Sequence, residues 1–279
     1  MLFRSVAADR TLRIAPEFGG AYLTWCLLHS EQRRVQCEDR LRAGMRADPD
    51  NPLNSWFLSR LLNQVGRNRE AVELAALSLA QDQYMPLKIG HMLRMLEVTG
   101  QTAETEEIYQ RAARWWPGER DIFWWRVSGM LMRGDFEAAQ RFQRETGNAT
   151  FFPIPPSRAR SACARVRPVP GFDQGQKLQC IFGLARVGDL RGAYRFVDGI
   201  YPSRRGRSPA EEERIWLAEP DPVSVVFLTG PVAAPLRRDP RYVALAERLG
   251  LLEYWRSGRP PDFCRKDPEP ICAQLLKGS

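Results

Sequence analysis

The sequence predicts an all-α protein built from repeated helical hairpins, and three observations predict it. Gly66, Gly100 and Gly134 lie 34 residues apart twice over. Five positions after each glycine stands a small residue: Ala71, Thr105 and Ala139. Between these marks the apolar residues fall at helical spacing, Trp56, Leu58, Leu61, Leu62 and Val65 in one segment, then Val72, Leu74, Ala75, Leu77 and Leu79 in the next. A period of this length is one helix-turn-helix unit, which buries its apolar face only by stacking on neighbours.

The words around the glycines are Val-Gly-Arg-Asn-Arg-Glu-Ala at 65–71, Thr-Gly-Gln-Thr-Ala-Glu-Thr at 99–105 and Arg-Gly-Asp-Phe-Glu-Ala-Ala at 133–139. They resemble the tetratricopeptide repeat family. The resemblance implies repeats stacked as a right-handed superhelical solenoid whose concave face binds a protein or peptide, and which seldom carries chemistry itself.

One period back from Ala71 stands Cys37, a side chain small and apolar enough for the close approach of two helices. The repeats therefore read 18–51, 52–85, 86–119 and 120–147, a repeat region of 17–147. Asp48-Pro49 and Trp116-Pro117 close two of them, because proline cannot continue a helix. Residues 1–16 read as the second helix of a repeat whose first helix is missing, which predicts a larger parent protein. Residues 2–5, Leu-Phe-Arg-Ser, also match the translation of a common sequencing adapter.

After Gly147 the pattern breaks. Residues 148–175 mix Pro153, Pro155, Pro156, Pro168 and Pro170 with Arg158, Arg160, Arg165 and Arg167, which predicts an irregular insertion. The hairpin resumes over 176–202 with Gly188 and Ala193, Gly188 lying 54 residues after Gly134. Residues 203–279 read as a helical cap and tail, with a helix expected from Pro209 to Trp216 because Glu211, Glu212 and Glu213 suit its first turn.

The tail carries the words Asp-Pro-Arg-Tyr (239–242), Leu-Gly-Leu (249–251), Tyr-Trp (254–255) and Pro-Asp-Phe-Cys (261–264). They resemble the closing segment of bacterial CadC-like regulators, which join a winged-helix DNA-binding domain to tetratricopeptide repeats. That resemblance implies a non-catalytic interaction or sensing region of a transcriptional regulator. Two alternatives stay open: a free-standing scaffold for an envelope or secretion assembly, and an accessory region of a signalling enzyme such as a nucleotide cyclase.

The residues offer little chemistry and no cofactor motif. Only His29 and His91 are available as bases, in different repeats, and both read as ordinary helix residues. Cys26, Cys37, Cys163 and Cys180 are too scattered for a zinc site. Cys264 and Cys272, eight residues apart across a proline-bearing loop, read either as a disulfide, which requires an oxidising compartment such as the periplasm, or as two free thiols.

The net charge of +8 comes from a chain in which 37 of 41 cationic side chains are arginine, scattered with no groove-reading motif, so direct binding to nucleic acid is not expected. The apolar stretch near Val223 to Leu228 is far short of the roughly 20 residues that span a bilayer. The aromatic cluster Trp115, Trp116, Phe123, Trp124 and Trp125 supports two readings. Either its rings are core between repeats, or Arg114, Trp116, Trp125, Arg126 and Arg133 line a groove for a peptide or acidic segment.

Overall fold

The structure, a computed structural model, describes residues 2–29, 33–147, 154, 156–166, 174–201, 223–266 and 268–277. Among the described residues there are helices and turns and no strand. Helix α1 (Leu2–Ile14) precedes five hairpins: α2 and α3 (Gly19–His29, Arg34–Ala47), α4 and α5 (Pro52–Gln64, Asn68–Gln81), α6 and α7 (Pro86–Thr99, Thr102–Trp115), α8 and α9 (Arg120–Arg133, Phe136–Thr146), and α11 and α12 (Gln174–Arg186, Leu190–Ile200). Short α10 (Ala159–Cys163) lies between the fourth and fifth hairpins. The tail holds α13 (Val223–Thr229), α14 (Ala234–Arg237), α15 (Arg241–Arg248), α16 (Leu251–Arg256) and α17 (Cys272–Leu275).

Local sequence explains the hairpins. Gly66, Gly100, Gly134 and Gly188 all have φ between 77° and 89°, left-handed backbone that ends the first helix of each of the last four pairs at little cost only for glycine. Each second helix then starts on its own cap where one exists: Asp135 Oδ1 accepts from Ala138 N–H, and Asp189 Oδ1 from Gly192 N–H, both at 2.9 Å. Ala71, Thr105, Ala139 and Ala193, five residues after those glycines, are fully buried.

First helices pack on first helices. Of the helix pairs described, α6 and α8 make the most extensive contact. Their approach depends on Gly129, where an added methyl would lie 2.7 Å from the Glu97 Cβ. The same register leaves one face open. Thr24 and Leu27 of α2 are exposed, whereas one, two and three periods later Leu58 and Leu61, Met92 and Met95, and Arg126 and Gly129 are buried.

Within the insertion expected at 148–175, part of the chain lies outside the described residues. Residues 156–163 form a 3-10 turn and then α10, whose Ala159 and Cys163 are buried. A Cys163–Cys180 disulfide, Cα atoms 5.5 Å apart, ties α10 to α11. The helix expected at Pro209–Trp216 lies outside the described residues.

The tail does not extend the stack. It runs back across the turns of the hairpins, with α13 against α4 and the turn at Pro231–Ala233 against α8.

Candidate functional site

The seam between hairpin turns and tail is where the structure concentrates its buried polar contacts. Tyr254 Oη donates to Glu38 Oε2 at 2.5 Å, and the Arg67 guanidinium donates both to Glu38 at 2.9 Å and to Tyr254 Oη at 2.8 Å. Arg42 and Arg259 complete the ring around Glu38, at 2.6 and 3.1 Å, and Glu70 pairs with both Arg42 and Arg67. Burial alone would raise the Glu38 carboxyl, but the bonds from Tyr254 and Arg42 and the charges of Arg67 and Arg42 hold it below the usual carboxylate range.

Three backbone contacts extend the seam. Trp255 Nε1 donates to Val65 O at 2.9 Å, Asp262 N–H to Gly66 O at 2.9 Å, and Thr229 Oγ1 to Asn63 O at 3.2 Å. Helix α5 begins after Arg67, which makes no side-chain cap; Asp262 of the tail accepts from Arg69 N–H at 2.9 Å and takes that role. Two of the tail words singled out in the sequence, Tyr-Trp and Pro-Asp-Phe-Cys, thus supply docking residues. Tyr242 Oη donates to Leu228 O at 2.9 Å, inside the tail itself.

The five residues read as one groove do not share a face. Trp125 and Arg126 are buried between α6 and α8 and their neighbours. The Trp125 ring meets His91 edge-on at 5.4 Å and lies 4.0 Å under the Arg94 guanidinium. Arg126 lies 4.4 Å from both the Tyr109 and Phe142 rings and pairs with Glu106 at 2.5 Å and Glu97 at 3.5 Å. Arg133 reaches the same Glu97 at 2.7 Å. Burial raises the Glu97 carboxyl against the pull of Arg133 and Arg126. Reversing the charge of Arg126 would therefore test packing, not partner capture.

No family model and no curated protein matches the chain.

Arg114 and Trp116 sit instead at the end of α7, beside an exposed pair that the groove reading omitted. Trp115 and Tyr84 are 46% and 66% exposed, and their rings stack at 5.8 Å. Trp116 lies edge-on to Trp115 at 5.4 Å, and Arg111 and Arg114 are exposed next to them on α7. A crevice at the foot of Trp115 is floored by Leu79, Ile89, Ile108 and Ala112. The sequence signal for Tyr84 was weak: it stands 31 residues before Trp115, off the repeat period, in the turn after α5.

Buried Ser59 and His91 stand 2.7 Å apart, a spacing that would fit a nucleophile and its base. Their bonding says otherwise. Ser59 Oγ donates to Ala71 O at 2.6 Å, so it accepts from His91 Nε2–H, and the lone pair at Nδ1 faces Arg94 Nη2 at 3.3 Å. Burial, then Arg94 and Arg60, push His91 well below its ordinary value. The folded state thus takes up this proton less readily than the unfolded chain. The resulting stability is present above about pH 6.5 and is lost as pH falls below it, by up to about 1.4 kcal/mol per pH unit. His91→Gln should flatten the slope of urea stability between pH 7 and 5 by nearly one proton; an unchanged slope would contradict the buried neutral imidazole.

All six cysteines are paired. Cys264–Cys272 forms the tail ring, with Cα atoms 5.6 Å apart. Cys37 is more than a small packing residue: it is bonded to Cys26, which joins α3 to α2. The 11-residue separation hid this, because it spans a turn and brings two facing helices together. Among the described residues no cluster of potential metal ligands occurs, and no helix is long and apolar enough to cross a membrane.

Proposed function

We propose that this chain is a non-catalytic binding and sensing region of tetratricopeptide type, belonging to a larger bacterial protein and working in an oxidising compartment. The observation that carries the reading is the exposed Tyr84–Trp115 stack flanked by Arg111 and Arg114 on an array of helical hairpins. Rigid aromatic rings beside arginines are the side chains most often found at the energetic centres of protein interfaces. Three disulfides support the compartment, since the cytosol keeps such thiols reduced. The open face of α2 at Thr24 and Leu27, with Ile14 of α1 and Phe18 of the turn also exposed, supports a neighbour that continues the packing of first helices.

A winged-helix regulator is the parent favoured by the tail words, with the repeats held in the periplasm and the DNA-binding part elsewhere. An envelope scaffold shares the compartment and is the second reading. Reading the natural frame upstream of Val6 separates them: a winged helix selects the regulator.

The binding function is tested by capture from an envelope extract with immobilised chain. Trp115→Ala combined with Arg114→Glu should reduce the captured partner about tenfold or more, as loss of a hot spot does, with circular dichroism and a cooperative urea transition showing that the variant is folded. Equal capture by both forms would refute this surface.

A further inference from the structure

We infer that the Tyr84–Trp115 surface binds an extended, acidic, proline-bearing segment of a partner protein. The inference rests on the binding role proposed above and names the chemistry of its partner.

The charge around the aromatic stack is unbalanced. Arg111 and Arg114 are exposed on α7 and have no ion pair or hydrogen bond among the described residues. Asp82, two positions before Tyr84, is already bonded to buried Lys88 at 2.9 Å, so its carboxylate does not answer them. Side chains three positions apart on a helix have Cβ atoms about 5–6 Å apart. Carboxylates at alternate positions of an extended chain, about 7 Å apart on one face, can meet both.

The hydrogen-bonding groups are unbalanced in the same sense. Arg111, Arg114 and Trp115 carry side-chain donors and no acceptor. A segment rich in acceptors and poor in donors answers such a rim. Proline supplies a backbone carbonyl with no N–H, and ionised glutamate or aspartate accepts only.

Shape selects a ring that lies flat. The crevice at the foot of Trp115 encloses only about 10 Å³, room for a water and too little for a leucine or phenylalanine side chain to enter. The apolar group of the partner must therefore rest on the exposed rings, as proline-rich segments rest on aromatic-lined surfaces. Such segments are extended before they bind, so little ordering entropy opposes docking. The positive patch is also narrow. Glu104 and Glu107 are exposed on the first half of α7, where a broad anionic membrane would meet them together with the arginines and a single segment need not.

The test titrates the full chain by calorimetry with the peptide Glu-Pro-Glu-Pro-Glu-Pro, blocked at both ends, at low salt. Saturation with a Kd below about 1 mM is expected, and peptides with lysine for glutamate or alanine for proline should bind about tenfold more weakly or worse. Trp115→Ala and Arg114→Glu should each weaken binding about tenfold, whereas Arg144→Glu, the same charge change at an exposed site on α9, should leave it unaltered. Circular dichroism and a cooperative urea transition show that the three variants fold. No saturation up to about 5 mM peptide would overturn the proposal, as would lysine or alanine peptides that bind equally well, or an equal loss with Arg144→Glu. Binding to phosphatidylglycerol vesicles that Trp115→Ala abolishes would overturn it in favour of a lipid surface. An envelope partner whose capture needs Trp115 and Arg114, with no binding of the acidic peptide, would overturn the acidic segment and leave the protein-binding surface standing.

Discussion

Replacing Glu38 with alanine is expected to release the tail from the hairpins and to cost about 3–5 kcal/mol, the scale of removing one partner from a buried ion pair. Glu38 is 2% exposed and is bonded by groups from three parts of the chain: Arg42 on its own helix, Arg67 at the second hairpin, and Tyr254 with Arg259 in the tail. Alanine would leave buried Tyr254 without its acceptor and Arg67 with only Glu70 as carboxylate partner. Urea unfolding gives the loss. The Trp255 indole N–H, bonded to Val65 O, gives its location, because its hydrogen exchange should accelerate by more than that of the helix interiors. Asp39→Ala is the control: Asp39 is exposed and pairs only with Arg259, so its removal should cost no more than about 1 kcal/mol. If Glu38→Ala cost as little as that control, the seam would not hold the tail.

The lowered pKa of Glu38 gives this contribution a pH window. Its carboxyl is less easily protonated in the folded state than in the unfolded chain, so the stability is present above about pH 4.5 and is lost as pH falls through the folded value. The loss at His91 begins higher, below about pH 6.5. Acid should therefore weaken the hairpin stack before it weakens the tail contacts.

Reducing the three disulfides is expected to be the second large effect. Closing loops of 11, 17 and 8 residues in the unfolded chain contributes about 3 kcal/mol for each bridge on the chain-entropy account. Each pair changed to alanine should lower the melting temperature by roughly 6–12 °C. The bridges lie in different places: the first hairpin, the junction of α10 with α11, and the end of the tail. Their losses should be close to additive. Thiol counting in denaturant without reductant should find none free on protein from an oxidising compartment; six would remove the compartment from the proposed function.

The sequence by itself determined the hairpins, because their signals are local. A glycine that must adopt positive φ, a small residue where helices touch, an Asp at the first turn and apolar residues at helical spacing each act within a few positions, and Gly134 with Asp135 and Ala139 carries the pattern complete. The all-helical character was legible for that reason. The tail words were legible as a pattern but not as contacts: that Trp255 meets Val65 and Asp262 caps α5 depends on the path of a chain almost 200 residues long.

Tertiary structure alone decided which of two adjacent side chains turns inward. Trp115 faces solvent and Trp125 the interior, although both precede or follow another tryptophan, because neighbours on a helix point about 100° apart and only the packed partner helix selects between them. It likewise paired Cys26 with Cys37 and Cys163 with Cys180, and stacked Tyr84 on Trp115. Spacing along the chain encodes torsion and periodicity. Which buried charges and thiols meet is set by the route the chain takes through space.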